Sequence, residues 1–266
     1  MDYALSLFEF NAVCAVLARE LRAALINRYF QIFAALSLCG GLATAIFSED
    51  AKAVAFFVVQ MALYLVSLFA LLAGVSSAQG ERSEWQLMFA QPVPRATYVF
   101  SKFIGYFLII VAVLLLLFLP AAFVGSRVST IAVLYFETLL LAAVFLSLGL
   151  LAGFLARDRA QALIIAVTAW LLMLVGFDLF GLLAARLEIV QRVPDLWLSV
   201  LMLNPLDAFR IDALFSLEQI PAEAASKTPL AEWWIAHTGL WFILIAALWS
   251  AACLAIASRF LNRFEE

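Results

Sequence analysis

The chain has 266 residues, 67% of them hydrophobic and 13% charged, with a formal net charge of −3. Soluble domains carry roughly half and a quarter of these classes, so a soluble domain is excluded, and the missing basic patch excludes a nucleic-acid binder. Several runs exceed the roughly 20 apolar residues that cross a bilayer, and they lack the alternation of a β-barrel, which leaves an all-α polytopic membrane protein.

The N-terminal stretch is amphipathic. Leu17, Leu21 and Leu25 line one side, with Arg19, Glu20, Arg22 and Arg28 on the polar side. This predicts an interfacial elbow helix over about 11–28 whose arginines snorkel. Charges resume at Arg19 and Glu20, so no signal-peptide cleavage pattern is expected. The first span is expected over about 29–47 and the second over about 53–75, joined by a tight turn at Ser48 to Lys52.

A polar segment then runs from Gly80 to Lys102. Ser83 and Gln86 form a capping-box pair, and Glu84 falls in the first turn, where it complements the helix dipole. Trp85, Met88 and Phe89 share one face, with Glu81 and Arg82 at the rim. Pro92 and Pro94 end this short helix, predicted over about 81–91, and Pro94 can open the next one. Such a helix can be gripped by another protein from the aqueous side.

The third span is expected over about 103–124, with Pro120 near its end, and the fourth over about 131–155, with Glu137 near its start. Arg157 to Arg159 forms a very short polar link to the fifth span, about 162–183, which contains Asp178. Ionisable groups at such depth are candidates for a pathway or proton site. The alternative is that both lie near the outer interface and touch water. A connection of about 50 residues follows. In it Leu196, Trp197, Val200 and Leu201 share a helical face, and Asn204-Pro205 breaks the pattern. Asp207 then precedes an amphipathic stretch with Phe209, Leu214 and Phe215. Two short helices over about 186–232 are expected, either dipping into the outer leaflet or lying on the headgroups. The sixth span is about 235–257. Trp233, Trp234 and Trp241 read as an aromatic belt. Cys14, Cys39 and Cys253 lack motif spacing and read as small apolar residues.

Ten basic residues fall on one side: Arg19, Arg22, Arg28, Arg82, Arg95, Lys102, Arg157, Arg159, Arg259 and Arg263. The two short loops opposite carry only Lys52 and Arg127. The ten mark the cytoplasm, which places both termini inside.

Glu81, Arg82, Gln86, Leu87, Met88, Phe89, Gln91, Pro92, Val93, Arg95 and Lys102 fit a family pattern, from which Ser83, Glu84 and Trp85 depart. With the elbow motif Arg19-Glu-Leu-Arg22 and the run from Leu203 through Asn204, Pro205 and Asp207 to Arg210, the chain resembles ABC exporter permeases of the type-2 class. The resemblance covers the six-span plan and implies one permease domain over 1–266. It implies a homodimer on a cytoplasmic ABC ATPase dimer, with ATP and Mg2+ on that partner and no cofactor on this chain. Glu81, Arg82, Glu84, Trp85, Met88, Phe89 and Arg95 would dock the ATPase. Glu137, Asp178, Asn204, Pro205 and Asp207 would face the pathway or an outer partner.

Within that class the chain looks most like the permease of the nitrous oxide reductase maturation transporter. That likeness implies a bacterial inner-membrane location and a periplasmic maturation partner that handles copper. The alternative within the class is a general export permease for a drug, lipid or peptide.

Elementary chemistry agrees with a non-catalytic subunit. No Gly-x-x-x-x-Gly-Lys-Ser/Thr loop is present, so energy must come from a partner or an ion gradient. An intramembrane enzyme would need a nucleophile motif or a metal cluster, and His237 is the only histidine. Met61, Met88, Met173 and Met202 are scattered and make no metal motif. An ion-gradient carrier would show inverted repeats, and none is legible here.

Overall fold

The computed structural model describes residues 18–19, 21–22, 25–47, 50–80, 95–124, 128–184, 186, 188, 192, 199–217, 233 and 236–262. Among these, six helices are long and apolar enough to cross a membrane. They are α1 (Arg28–Phe47), α2, α3 (Arg95–Val124), α4 (Val128–Leu155), α5 and α7 (Thr238–Asn262). α2 comprises Ala51–Met61, a wide π turn at Ala62–Val66, and Ser67–Gly80. α5 comprises Arg159–Leu171, a second π turn at Leu172–Gly176, and Phe177–Ala184. The shorter α6 (Pro205–Ser216) precedes α7. The chain is therefore an all-α, six-span polytopic membrane protein.

The helix starts are chemically marked. The Asn27 Oδ1 accepts from the Tyr29 N–H (3.0 Å), and the Asp50 Oδ1 accepts from the Lys52 N–H (3.1 Å), satisfying donors a helix start leaves bare. At α5 the Asp158 Oδ1 accepts from the Gln161 N–H (2.8 Å), while the Gln161 side chain accepts from the Arg157 N–H (2.7 Å). That reciprocal pair turns the chain sharply between α4 and α5 within Ala156, Arg157 and Asp158. Ahead of α1, residues 18–19, 21–22 and 25–26 are helical, Asn27 is not, and Leu21 packs against the core.

α4 is the hub. Of its most apolar window 67% is buried, and it packs against α2, α3, α5, α6 and α7. Lipid gives apolar helices little reason to associate, so close backbone approach and polar links must hold them together. The approach is closest between α2 and α4. A Cβ at Gly149 would strike the Leu71 carbonyl, and one at Gly74 would strike the Leu146 carbonyl. Gly153 meets the Ala78 methyl one turn away, so Gly149 and Gly153 both face α2. α1 lies on α3 in the same manner, with Gly41 against the Leu116 and Leu117 carbonyls and the Pro120 ring.

The second span continues to Gly80, and the third begins at Arg95 rather than near residue 103. The apolar runs are shorter than the helices because polar side chains hold the overhangs. The Gln79 amide donates to the Gly153 carbonyl (2.6 Å), and the Arg95 Nη1 donates to the Leu261 carbonyl at the end of α7 (2.7 Å). These contacts, with Arg157, Arg159 and Arg259, lie at what is called here the basic end. α6 sits at the opposite end.

Candidate functional site

At the basic end, α2 and α3 flank residues 81–94. Glu81, Arg82, Glu84, Trp85, Met88 and Phe89 lie outside the described residues. The frame on either side is tightly built. Tyr98 packs on Phe154 with ring centroids 6.3 Å apart, and the buried Lys102 ammonium stands 5.1 Å from the Tyr98 ring. Ala78, Val99 and Leu254 close this small apolar cluster. Arg95 faces inward: its guanidinium satisfies a carbonyl that the end of α7 would leave bare. The chain thus leaves α2 and re-joins at α3 from two points fixed to α4 and α7.

At the opposite end, sequence-distant polar residues converge. Asn204 is the centre. Its Oδ1 accepts from the Leu206 N–H (3.2 Å) and caps α6, with Pro205 next, where its missing N–H costs nothing. Its Nδ2 donates to the Met173 carbonyl in the π turn of α5 (2.7 Å) and to the Asp207 Oδ2 (2.6 Å). The Arg210 Nη1 reaches the Asp178 Oδ1 (3.2 Å) and the Asp207 Oδ1 (3.4 Å). Asp178, Asn204, Pro205 and Asp207 thus meet at the α5–α6 junction. Burial pushes the Asp207 carboxyl above the usual carboxylate range, and Asp178 adds to that. The Asn204 amide and the Arg210 guanidinium oppose it. The Arg210–Asp178 pair is half exposed, so it contributes at most about 1 kcal/mol and serves mainly to orient the groups.

Two tryptophans of α7 brace the same corner. The Trp241 indole N–H donates to the Met202 carbonyl (2.9 Å), and that of Trp249 to the Leu203 carbonyl (3.0 Å). These carbonyls precede α6, so α7 holds the turn from which α6 starts. Trp241, expected in an interfacial belt, here also ties two elements together. Trp233 stacks on His237 with centroids 5.0 Å apart.

Glu137 does not join this cluster. It is buried on α4 and meets Asp212 of α6. The alternative that Glu137 simply touches water is therefore not what the structure shows, whereas the Asp178 side chain is 51% exposed. Asp212 and Thr238 are site residues that the sequence reading did not single out, and it named Arg210 only as the end of a motif. Arg210 carried a usable signal, standing three residues after Asp207 on one helix. Asp212 carried none, because its partner lies on another helix far along the chain. Among the described residues no three His, Cys, Asp or Glu side chains converge as a metal site. Chemically the end fastens α6 to α4, α5 and α7 by polar links in an otherwise apolar setting.

The family described as ABC-2 family transporter protein matches residues 14–263. A protein of Pseudomonas aeruginosa described as "Probable ABC transporter permease protein NosY" is 28% identical over 216 residues, which cover 76% of this chain and 77% of that relative. A protein of Stutzerimonas stutzeri with the same description is 26% identical over 209 residues, covering 74% and 76% respectively.

Proposed function

The chain belongs to the ABC-2 transporter family and is the membrane-spanning permease subunit of an ABC transporter, and from that premise we propose that it serves nitrous oxide reductase maturation. In this reading it passes force from a cytoplasmic ATPase dimer to a periplasmic partner that handles the copper. The observation that carries the reading is similarity across three quarters of the chain to two relatives described as NosY permeases. The braced outer corner supports it: a helix tied to three spans transmits motion better than a loose loop would. The basic bias supports an inner-membrane orientation with both termini and residues 81–95 in the cytoplasm.

A homodimer completes the assembly, matching a two-fold ATPase. α5 supports this, because only 11% of its most apolar window is buried within one copy. Residues 81–91 dock the ATPase, with Trp85, Met88 and Phe89 as anchors and Glu81, Arg82 and Glu84 as rim. Trp85→Ala is expected to cost about 2 kcal/mol, roughly 30-fold in affinity, as at an interface hot spot. Co-purification of the ATPase, normalised to membrane-inserted permease, checks this. Wild-type recovery of a complex with two copies of each subunit would reject the docking role of Trp85.

The maturation role has its own test. In a strain lacking its nitrous oxide reductase maturation permease, this chain expressed with its ATPase should restore copper-loaded reductase. Copper content of the purified reductase is the readout. An assembled transporter that leaves the reductase copper-free would sink the maturation reading and leave the permease assignment intact.

A groove favours a second reading. An open apolar recess of about 390 Å³ lies between α2 and α5, lined by Phe57, Gln60, Met61, Tyr64, Leu68 and Trp170. Its size suits a small apolar ligand, which fits export of a drug, lipid or peptide. ATPase activity stimulated by such a compound in the purified complex would favour this reading over the first.

A further inference from the structure

Glu137 and Asp212 present a chemical problem that the permease assignment does not address. Glu137 is 8% exposed and Asp212 is 2% exposed. Their carboxyl groups meet within hydrogen-bonding reach across the α4–α6 contact, and Asp212 also lies within reach of Thr238 at the start of α7. The Glu137 Oε2 and the Asp212 Oδ2 are buried without a hydrogen-bond partner. An ionised carboxylate only accepts hydrogen bonds. Two of them cannot bond to each other unless one carries a proton. Both charged at contact distance in a low-dielectric surrounding, they would repel strongly.

Among the described residues, no neighbouring cation relieves the pair. On α6 the Arg210 guanidinium is bonded to Asp178 and Asp207. α5 brings only Asp178 to this corner. The described titratable group beside Thr238 is His237, whose Nδ1 is bonded to the Trp233 carbonyl. On α4 itself the Tyr135 hydroxyl donates to the Val111 carbonyl of α3. Arg95 and Lys102 of α3 are at the basic end, and Lys52 of α2 is exposed.

We propose that Glu137 and Asp212 form a proton-binding site in which one shared proton fastens α6 to α4, so that losing the proton releases the outer helix. The site goes beyond the maturation reading and holds whatever the cargo is. Burial raises the Asp212 carboxyl above the usual carboxylate range, against the lowering by its contacts with Thr238 and Glu137. A carboxyl raised in the folded state contributes stability below its unfolded pKa, and that contribution is lost as pH rises through the folded value. The fold at this corner should therefore weaken with alkali.

The test uses the full-length protein in lipid nanodiscs, with infrared difference spectroscopy and thermal unfolding from about pH 6 to about pH 9. The wild type should show a protonated-carboxyl C=O band that shifts in D2O and disappears on alkalinisation. Its unfolding midpoint should fall over the same interval. Glu137→Gln should lose the band and flatten the midpoint, because the amide donates to Asp212 permanently. Asp212→Asn should do the same, and if that variant does not fold, Glu137→Gln decides alone. A wild type without the band, or a band unchanged in Glu137→Gln, overturns the proposal. So does a wild type that lacks the band and is stabilised by Na+ or Ca2+ at fixed pH, which would mean a cation holds the pair.

Discussion

Gly149→Val should leave a chain that inserts into the membrane but does not pack. The added side chain meets the Leu71 carbonyl, which belongs to helix backbone and has no rotamer to turn away. Relief requires moving α2 from α4 along the bundle's closest contact, where Gly74 presses on the Leu146 carbonyl from the other side. Overpacking of side chains costs typically about 1–3 kcal/mol, and a collision with backbone belongs at or above the top of that range. Detergent-solubilised Gly149→Val is expected to elute as aggregate in size-exclusion chromatography. Gly80→Ala is the matched control. Nothing lies within 4 Å of the position a Cβ would take at Gly80, so the monodisperse peak should survive. A sharp wild-type peak for Gly149→Val would show that α2 and α4 need not approach so closely.

Asn204→Ala should detach α6. The change removes a helix cap, worth about 1 kcal/mol, and takes the Asn204 donor from the part-buried Met173 carbonyl and from the buried Asp207 Oδ2, leaving Asp207 with Arg210 alone. Each lost partner costs about 1–3 kcal/mol, so a total of about 3 kcal/mol or more is expected. Hydrogen–deuterium exchange should rise across residues 205–216 while α4 stays protected. Asn204→Asp separates cap from donor. It keeps the oxygen that accepts from the Leu206 N–H but sets a carboxylate against Asp207. It should therefore be nearly as damaging as alanine at neutral pH and partly recover as acid supplies a proton to the pair. Protection unchanged in both variants would mean that the tryptophan braces alone hold α6.

The six spans were legible because stretches such as 103–124 run without a charged residue over about the 20 residues that cross a bilayer. Their ends were not. Gln79 and Arg95 belong to helices because of carbonyls on α4 and α7, and a tertiary partner leaves no periodic trace. At the end opposite the basic one the motif from Asn204 to Arg210 was visible as a helix start, and its tie to Asp178 joins residues that the reading had chosen separately. The ties to Met173, Trp241 and Trp249 were invisible, since a carbonyl or an indole looks alike in a core and in a brace. Glu137 was legible as an anomaly and not as a contact. Whether a carboxyl within an apolar run meets water or another carboxyl depends on the folding of a helix far along the chain.

A π turn holds one residue more than an α turn, so Ala62–Val66 fixes the angular phase of everything after it in α2. The Trp170 Nε1 donates to the Ser67 Oγ (2.9 Å) just past that turn, and Ser67 in turn donates back to the Leu63 carbonyl. Deleting one residue there would restore α geometry and rotate Ser67–Gly80 by roughly 100°. Gly74 would swing off Leu146, and a bulkier flank would be driven into α4 in its place. Side chains along this rod can therefore be exchanged over evolutionary time much more freely than its length can change: a one-residue gap is equivalent to turning half a span to face the wrong neighbour.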